Sequence, residues 1–251
     1  MRKGWRSDNP IRNLEADEKP AIESRQKRIL EEEEIRQLIE QTPAKYRPVI
    51  RTAVFTGLRL GELLGLKWSD VDFSAGVIRV QRQLTQQGEV AEPKTASGKR
   101  QVVVFPDLAR YLREHRLASP FSADGDFVFA TREGTPFLQG NVTKRGLDKG
   151  AAKLNRVGEP KLRMHDLRHC FASMLIAAGA DVVFVARQLG HANPGITLRI
   201  YAHLFDSEAQ GTRMRDALEA RFGGNAVVTS DGKEGQDTGT VRAANVVSMR
   251  P

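Results

Sequence analysis

A chain of 251 residues, 40% hydrophobic and 28% charged, has ordinary globular composition and room for one large domain or two small ones. Its formal net charge of +8 favours an anionic partner such as nucleic acid, and its single cysteine, Cys170, excludes an intramolecular disulfide and a cysteine-rich zinc site. No apolar run is long enough to span a bilayer, and MRKGWRSDNP lacks the apolar core of a signal peptide, so a cytoplasmic, reducing setting with no membrane partner is expected.

Residues 1–30 are polar, broken at Asn9-Pro10 and Lys19-Pro20, and read as a linker or N-terminal arm. Glu31 to Glu34 place carboxylates at a helix start, where the dipole favours them. Ile35, Leu38 and Ile39 give that helix an apolar stripe, and Tyr46, Val49, Ile50, Ala53 and Val54 give a second. Gly57 should break the second helix, and Leu60, Leu63 and Leu64 restart an apolar face, so Arg59 falls at a boundary between helices. Trp68 and Val71 read as core, and Ser69-Asp70 as a turn into a strand.

Val77 to Gln83 and Gln101 to Phe105 are short β-branched runs. The polar stretch between them is expected to hold further strand and turns, with Lys94 and Lys99 near a hairpin. Pro106-Asp107 opens a helix with Leu108 and Leu112 on one face. SADGD reads as a turn and the following FVF as a brief strand. Leu147, Ala151 and Leu154 mark another helix, ending near Gly158 and Pro160.

Met164 to Tyr201 is the stretch richest in chemistry. Leu167, Cys170, Phe171, Met174 and Leu175 share one helical face, while His165, Arg168 and Ala172 lie on another. Gly179 ends this helix. Val182, Val185 and Leu189 define the next, which stops at Gly190-His191. Asn193-Pro194-Gly195 reads as a turn before a helix that carries Tyr201. Residues 207–222 form one more helix with Met214, Leu218 and Phe222 spaced for docking. The tail 223–251 is polar, Gly-rich and expected to be disordered; its charges cancel, so the basic excess lies in 1–222.

Within that stretch, arginine offers a planar fork for phosphate oxygens, histidine moves protons near neutral pH, and a tyrosine hydroxyl is an oxygen nucleophile. Each residue alone has a commoner, bland reading. Arg59 could pair with Glu62 on the surface, Arg168 could be solvated, and His191 could cap a helix end. His165 and His169, four apart, superficially suggest zinc, but Asp166 stands where the metalloprotease motif needs Glu. Cys170 reads as a small buried hydrophobe.

The joint pattern is more specific. HDLRH, then LGH, then IYAH, preceded by TGLRLGELLGLKWSDVD and EPKTASGKRQVVV, resembles the tyrosine recombinase (phage integrase) family, in family order, over about residues 30–205. The resemblance implies a mainly α catalytic domain with a small antiparallel β-sheet (α+β) over 31–222. Residues 1–30 resemble only the linker into that domain, and the family's separate N-terminal core-binding domain has no counterpart.

The implied activity is site-specific recombination of double-stranded DNA through a 3′-phosphotyrosyl intermediate. It would use no cofactor and no metal, with a protein mainly monomeric when free and oligomeric (a tetramer) on DNA. By the same resemblance Tyr201 is the nucleophile and Arg59, Arg168 and His191 hold the phosphate. His165 assists proton transfer, and Lys94, with Lys99 as competitor, protonates the 5′ leaving oxygen. Glu62 is read as a carboxylate orienting neighbouring basic groups, and His169 as a structural hydrogen-bonding residue. A type IB topoisomerase and a non-catalytic DNA-binding remnant or regulator remain alternatives.

Overall fold

The computed structural model describes residues 28–93, 98–154, 160–205 and 207–222. Residues 1–27 of the arm expected over 1–30, the tail 223–251 and Lys94 fall outside the described residues. Through Phe205 the described chain forms one unit, and Ser207–Phe222 belongs to a second.

Three helix starts share one device. An acidic residue at the third helical position accepts a hydrogen bond from the backbone amide at the cap. Glu34 does this for Glu31 at the head of α1 (Glu32–Gln41), Glu62 for Arg59 at the head of α3 (Leu60–Leu64), and Asp166 for Arg163 at the head of α7 (Met164–Ala177). Between α1 and α3, α2 (Arg47–Thr56) buries Val49, Ile50, Ala53 and Val54. It ends at Gly57, whose φ of +59° is left-handed. A Cβ on Gly57 would also lie 2.5 Å from the Phe171 ring, so only glycine allows α2 and α7 to approach this closely.

Trp68–Asp70 forms a single 3-10 turn before β1 (Val71–Asp72). With β2 (Val77–Val80) and β5 (Arg100–Val103) this strand builds an antiparallel sheet of order β1-β2-β5, registered by Val71 opposite Ile78 and Ile78 opposite Val102. β3 (Gln83–Leu84) and β4 (Val90–Ala91) pair separately as a short antiparallel hairpin. β5 is therefore an edge strand. Its edge is covered by α8 (Val182–Leu189): the Gln188 side chain accepts from the Val103 amide at 2.9 Å and donates to the Gln101 carbonyl at 3.4 Å.

α4 (Pro106–Ala118) buries Leu108 and Leu112 as expected. Two sequence expectations fail here. Phe127 to Phe129 makes an isolated bridge from Phe127 to Lys67 rather than a strand. The helix expected around Leu147–Leu154 lies earlier. It comprises α5 (Gln139–Asn141), a π-helical turn Val142–Leu147 and α6 (Asp148–Gly150), with Ala151 and Leu154 buried in the turn that follows.

α7 crosses the centre of the unit with both faces covered: Leu167, Phe171 and Leu175 on one side, Arg168 and Ala172 on another. After it come α8 and α9 (Pro194–Tyr201), in which Asn193 caps the first turn by accepting from the Gly195 amide. Asn193-Pro194-Gly195 is thus a helix start rather than a free turn. α10 (Ser207–Phe222) presents Met214, Leu218 and Phe222, one turn apart and all exposed. Among the described residues no helix is long and apolar enough to cross a membrane.

Candidate active site

The site gathers at the C-terminal end of α8, where a helix leaves its last carbonyls without intrahelical partners. Three consecutive carbonyls are each met by a different arginine. Gln188 accepts from Arg100 Nε at 2.8 Å, Leu189 accepts from Arg168 Nη2, and Gly190 accepts from Arg59 Nη2 at 3.3 Å. The arginines arrive from three elements: Arg59 from the cap of α3, Arg100 from β5 and Arg168 from α7. Gly190, at φ +63°, turns the chain, and the His191 amide closes back on the Ala186 carbonyl at 3.0 Å. This is a Schellman-type ending, and it fixes the direction in which His191 leaves the helix.

One carboxylate serves two of the arginines. Glu62 Oε1 accepts from Arg59 Nη1 at 2.8 Å and from Arg100 Nη1 at 3.1 Å. Glu62 Oε2 accepts from the Arg59 amide and from Arg100 Nη2, both at 2.9 Å. Burial would raise the Glu62 carboxyl; the hydrogen bonds and charge of Arg100, then those of Arg59, outweigh it and hold the group below the usual carboxylate range. Among the described residues Glu62 is the only carboxylate in hydrogen-bonding contact with any of the three guanidiniums. The cup is therefore strongly positive.

The arginines differ in access. The Arg59 side chain is 45% exposed, whereas Arg168 is 3% exposed and donates to the Gly57 carbonyl at 2.8 Å as well as to Leu189. Taken alone, Arg168 has a bland reading as a solvated arginine on a polar helix face; it is instead enclosed between the ends of α2 and α8, whose Gly57 and Leu189 carbonyls it meets. Burial, then repulsion from Arg59 and Arg100, lowers the Arg168 guanidinium to about 9, which still leaves it protonated at neutral pH. His191 is lowered to about 4, first by burial and then by Arg168, Arg59 and Arg100, so it is neutral at pH 7. Its Nδ1 lies 2.7 Å from the hydroxyl of the fully buried Thr197, which locks the imidazole in place. His165 stands at the exposed first turn of α7 and is lowered by burial and by Arg168.

Tyr201 lies at the end of α9, only 2% exposed. Its hydroxyl is 2.5 Å from His169 Nδ1, and the His169 ring packs edge-on to His165 with centroids 4.7 Å apart. Burial pushes the Tyr201 phenol well above its ordinary range, against the pull of Arg168. The sequence reading supplied His165 as the base for Tyr201; His169 is the imidazole on its hydroxyl. Lys99 pairs with Glu92 at 2.9 Å on the surface.

Two residues of the site, Arg100 and Thr197, and one contact, His169–Tyr201, escaped the sequence reading. Arg100 left one trace: it shares a strand face with the buried Val102, and a charge on the apolar side of a strand signals a buried ion pair. The Thr197–His191 contact, made across the turn between α8 and α9, and the His169–Tyr201 contact, made between α7 and α9, left none, since both depend on how these helices pack. Among the described residues no group of three or more His, Cys, Asp or Glu side chains is arranged to hold a metal ion.

A family model described as the phage integrase family matches residues 28–208. The chain is 32% identical over 201 residues to a XerC-like tyrosine recombinase of Caldanaerobacter subterraneus subsp. tengcongensis, covering 70% of this chain and 50% of that protein. It is 32% identical over 199 residues to the transposase from transposon Tn916 of Enterococcus faecalis, covering 72% and 49%. Among solved structures, the Tn1549 transposon integrase in complex with circular intermediate DNA superposes with a TM-score of 0.62 at 28% identity, covering 78% of this chain and 68% of that one. The chain spans about half the length of the curated relatives it matches.

Proposed function

Since the chain belongs to the phage integrase family, we propose that its domain over 31–222 breaks and rejoins double-stranded DNA in site-specific recombination, through a 3′-phosphotyrosyl intermediate. The observation that carries this reading is the cup at the end of α8, where three arginines and a neutral His191 converge around a single carboxylate. Such a cup suits a phosphodiester. Its fixed guanidinium and imidazole donors meet charge that develops on the nonbridging oxygens as phosphorus becomes pentacoordinate. Positive charge that a metal ion would otherwise supply comes here from side chains.

In this reading Arg59, Arg168 and His191 hold the phosphate. With Thr197 donating to His191 Nδ1, the neutral ring carries its proton on Nε2, the form that can donate to a phosphate oxygen. Tyr201 leaves its bond to His169 and attacks phosphorus, with His165 assisting the transfer of the phenol proton. The P–O5′ bond breaks, and Lys94 gives a proton to the departing oxygen. A 5′-hydroxyl from another strand then reverses the step. The phosphotyrosyl bond conserves the phosphodiester's energy, so no nucleotide cofactor is needed.

The same proposal extends to assembly: a protein mainly monomeric when free and tetrameric on DNA. The exposed Met214, Leu218 and Phe222 stripe of α10 supports it, because a short helix draws its stability from docking. Deleting 207–251 should weaken cooperative DNA binding while the remaining unit keeps its melting temperature. A truncated protein that melts early as a free monomer and assembles normally on DNA counts against docking between copies.

The decisive test of the chemistry is a duplex nicked close to the recombination site, so that the cleaved 5′ fragment diffuses away. Wild-type protein should accumulate a covalent adduct with EDTA present. Adduct formation that stops in EDTA and returns with magnesium would refute the metal-free mechanism.

A further inference from the structure

Arg100 is the arginine that no part of the proposed chemistry uses, yet it is the most tightly held. Its side chain is 6% exposed. Nε donates to the Gln188 carbonyl, Nη2 to Glu62, and Nη1 to both Glu62 and the Gly98 carbonyl at 3.1 Å. Four of the five N–H donors of its guanidinium are already committed, which suits a bridge better than a third clamp. What it joins is more informative. On one side is Glu62, which holds Arg59 by side chain and backbone. On the other is the last turn of α8, which launches His191. The backbone accommodates this bridge specifically: a Cβ on Gly190 would sit 2.8 Å from Arg100 Nη1.

We propose that Arg100 is a positioning residue for phosphoryl transfer: by tying Glu62 to the C-terminal end of α8, it sets Arg59 and His191 at a fixed separation across the phosphate site. This rests on the functional reading above. The planar guanidinium matters as well as the charge. A carboxylate takes two parallel donors while the third nitrogen points back along the fork to the carbonyl. A lysine ammonium in its place could meet Glu62 or Gln188 with no such fixed geometry. Without Arg100, Glu62 remains bound to Arg59, and that pair keeps only the longer Arg59–Gly190 bond at 3.3 Å as its link to the helix end.

The test uses the full chain and the variants Arg100→Met, Arg100→Lys and Glu62→Gln. Covalent adduct formation is followed under single-turnover conditions on the nicked duplex, with either an ordinary phosphodiester or an uncharged methylphosphonate at the scissile position. Arg100→Met should slow adduct formation about 100-fold, the penalty of a phosphate clamp displaced by roughly an ångström, with little change in DNA affinity. The defect should shrink on the methylphosphonate, which needs less charge clamping; a general folding defect would slow both substrates equally. Combined with Glu62→Gln, Arg100→Met should add little, because both act through one bridge. Arg100→Lys should recover little of the rate, and it carries the same comparisons if Arg100→Met fails to fold. Equal slowing on both substrates, multiplied losses in the double variant, or wild-type rates in folded Arg100→Met overturn the proposal. If the wild-type protein forms no adduct, the functional reading fails, and a separate readout still decides the role of Arg100. The His191 imidazole, titrated by NMR, should move upward in Arg100→Met or Arg100→Lys if the bridge sets its surroundings. An unchanged titration overturns the link.

Discussion

Replacing Tyr201 by phenylalanine tests together the hydrogen bond that its hydroxyl makes and the nucleophilic role proposed for it. The ring stays where it is, 2% exposed at the end of α9, and the contact from Oη to His169 Nδ1 at 2.5 Å is lost. A buried neutral hydrogen bond contributes about 1 kcal/mol net, and up to about 3 kcal/mol when its loss leaves a desolvated partner behind. In a domain of this size each kcal/mol is worth roughly 2–4 °C of melting temperature. Tyr201→Phe should therefore lower the calorimetric midpoint by a few degrees, abolish covalent trapping on the nicked duplex, and leave DNA affinity nearly unchanged, since the hydroxyl lies away from solvent. Adducts that persist in the variant would remove Tyr201 as nucleophile. A melting temperature equal to or above that of the wild type would refute the buried His169 contact, and with it the idea that the phenol is held there before attack.

Further outcomes follow from the geometry. Gly190→Ala forces an alanine to φ +63° with its Cβ against Arg100; the left-handed backbone alone costs about 1–2 kcal/mol, so both midpoint and cleavage rate should fall, and a variant with unchanged cleavage would show that the α8 ending does not set the site. Lys94→Ala should slow cleavage at an ordinary 5′-oxygen far more than at a bridging 5′-sulfur, which leaves without a proton; rescue by sulfur in Lys99→Ala instead would reassign the general acid. His191 titrates near 4 in the folded protein against 6.5 for an ordinary histidine, so between these values the unfolded chain holds a proton that the folded one does not. Stability should drop as pH falls from about 6.5 toward 4 and level off below, and melts of His191→Asn should show a smaller drop over that window. Parallel melting profiles would mean that His191 is not held neutral.

What the sequence disclosed was local, and what it hid was set by packing. Arg59 was legible because Gly57 stops a helix, Glu62 sits three residues into the next, and the cap falls between them. The ending at Gly190 was equally plain, and with it the position of His191. Arg168 was legible from its place in HDLRH and not from its helix face, because amphipathicity distinguishes a polar face from an apolar one but not a solvated polar face from one that another helix end covers. Arg100 finds Glu62 across 38 residues and Gln188 across 88, distances over which periodicity carries nothing. The helix before Leu147 was misplaced for a definite reason. A π-helical turn over Val142–Leu147 slips the buried face relative to a 3.6-residue repeat, so the apolar residues beyond it pointed to a helix that is in fact a turn.

The covered helix end also explains how three guanidiniums can share one cup before any DNA arrives. Side by side they repel, and the lowered ionisation of Arg168 shows that repulsion acting beside its burial. Glu62 offsets one charge, and the negative end of α8 offsets about half of another. That leaves a positive excess of roughly one to two charges in a site partly closed to water. A phosphodiester, with its single negative charge, relieves part of that excess. In the proposed reaction, the pentacoordinate state formed by Tyr201 attack would carry more negative charge on the same oxygens and relieve more of it. Because the donors are held by carbonyls and one carboxylate rather than by solvent, they need not reorganise as that charge develops. Under the proposed function the cup would therefore bind the transition state more tightly than the intact strand, which is the condition for accelerating the step rather than merely holding DNA.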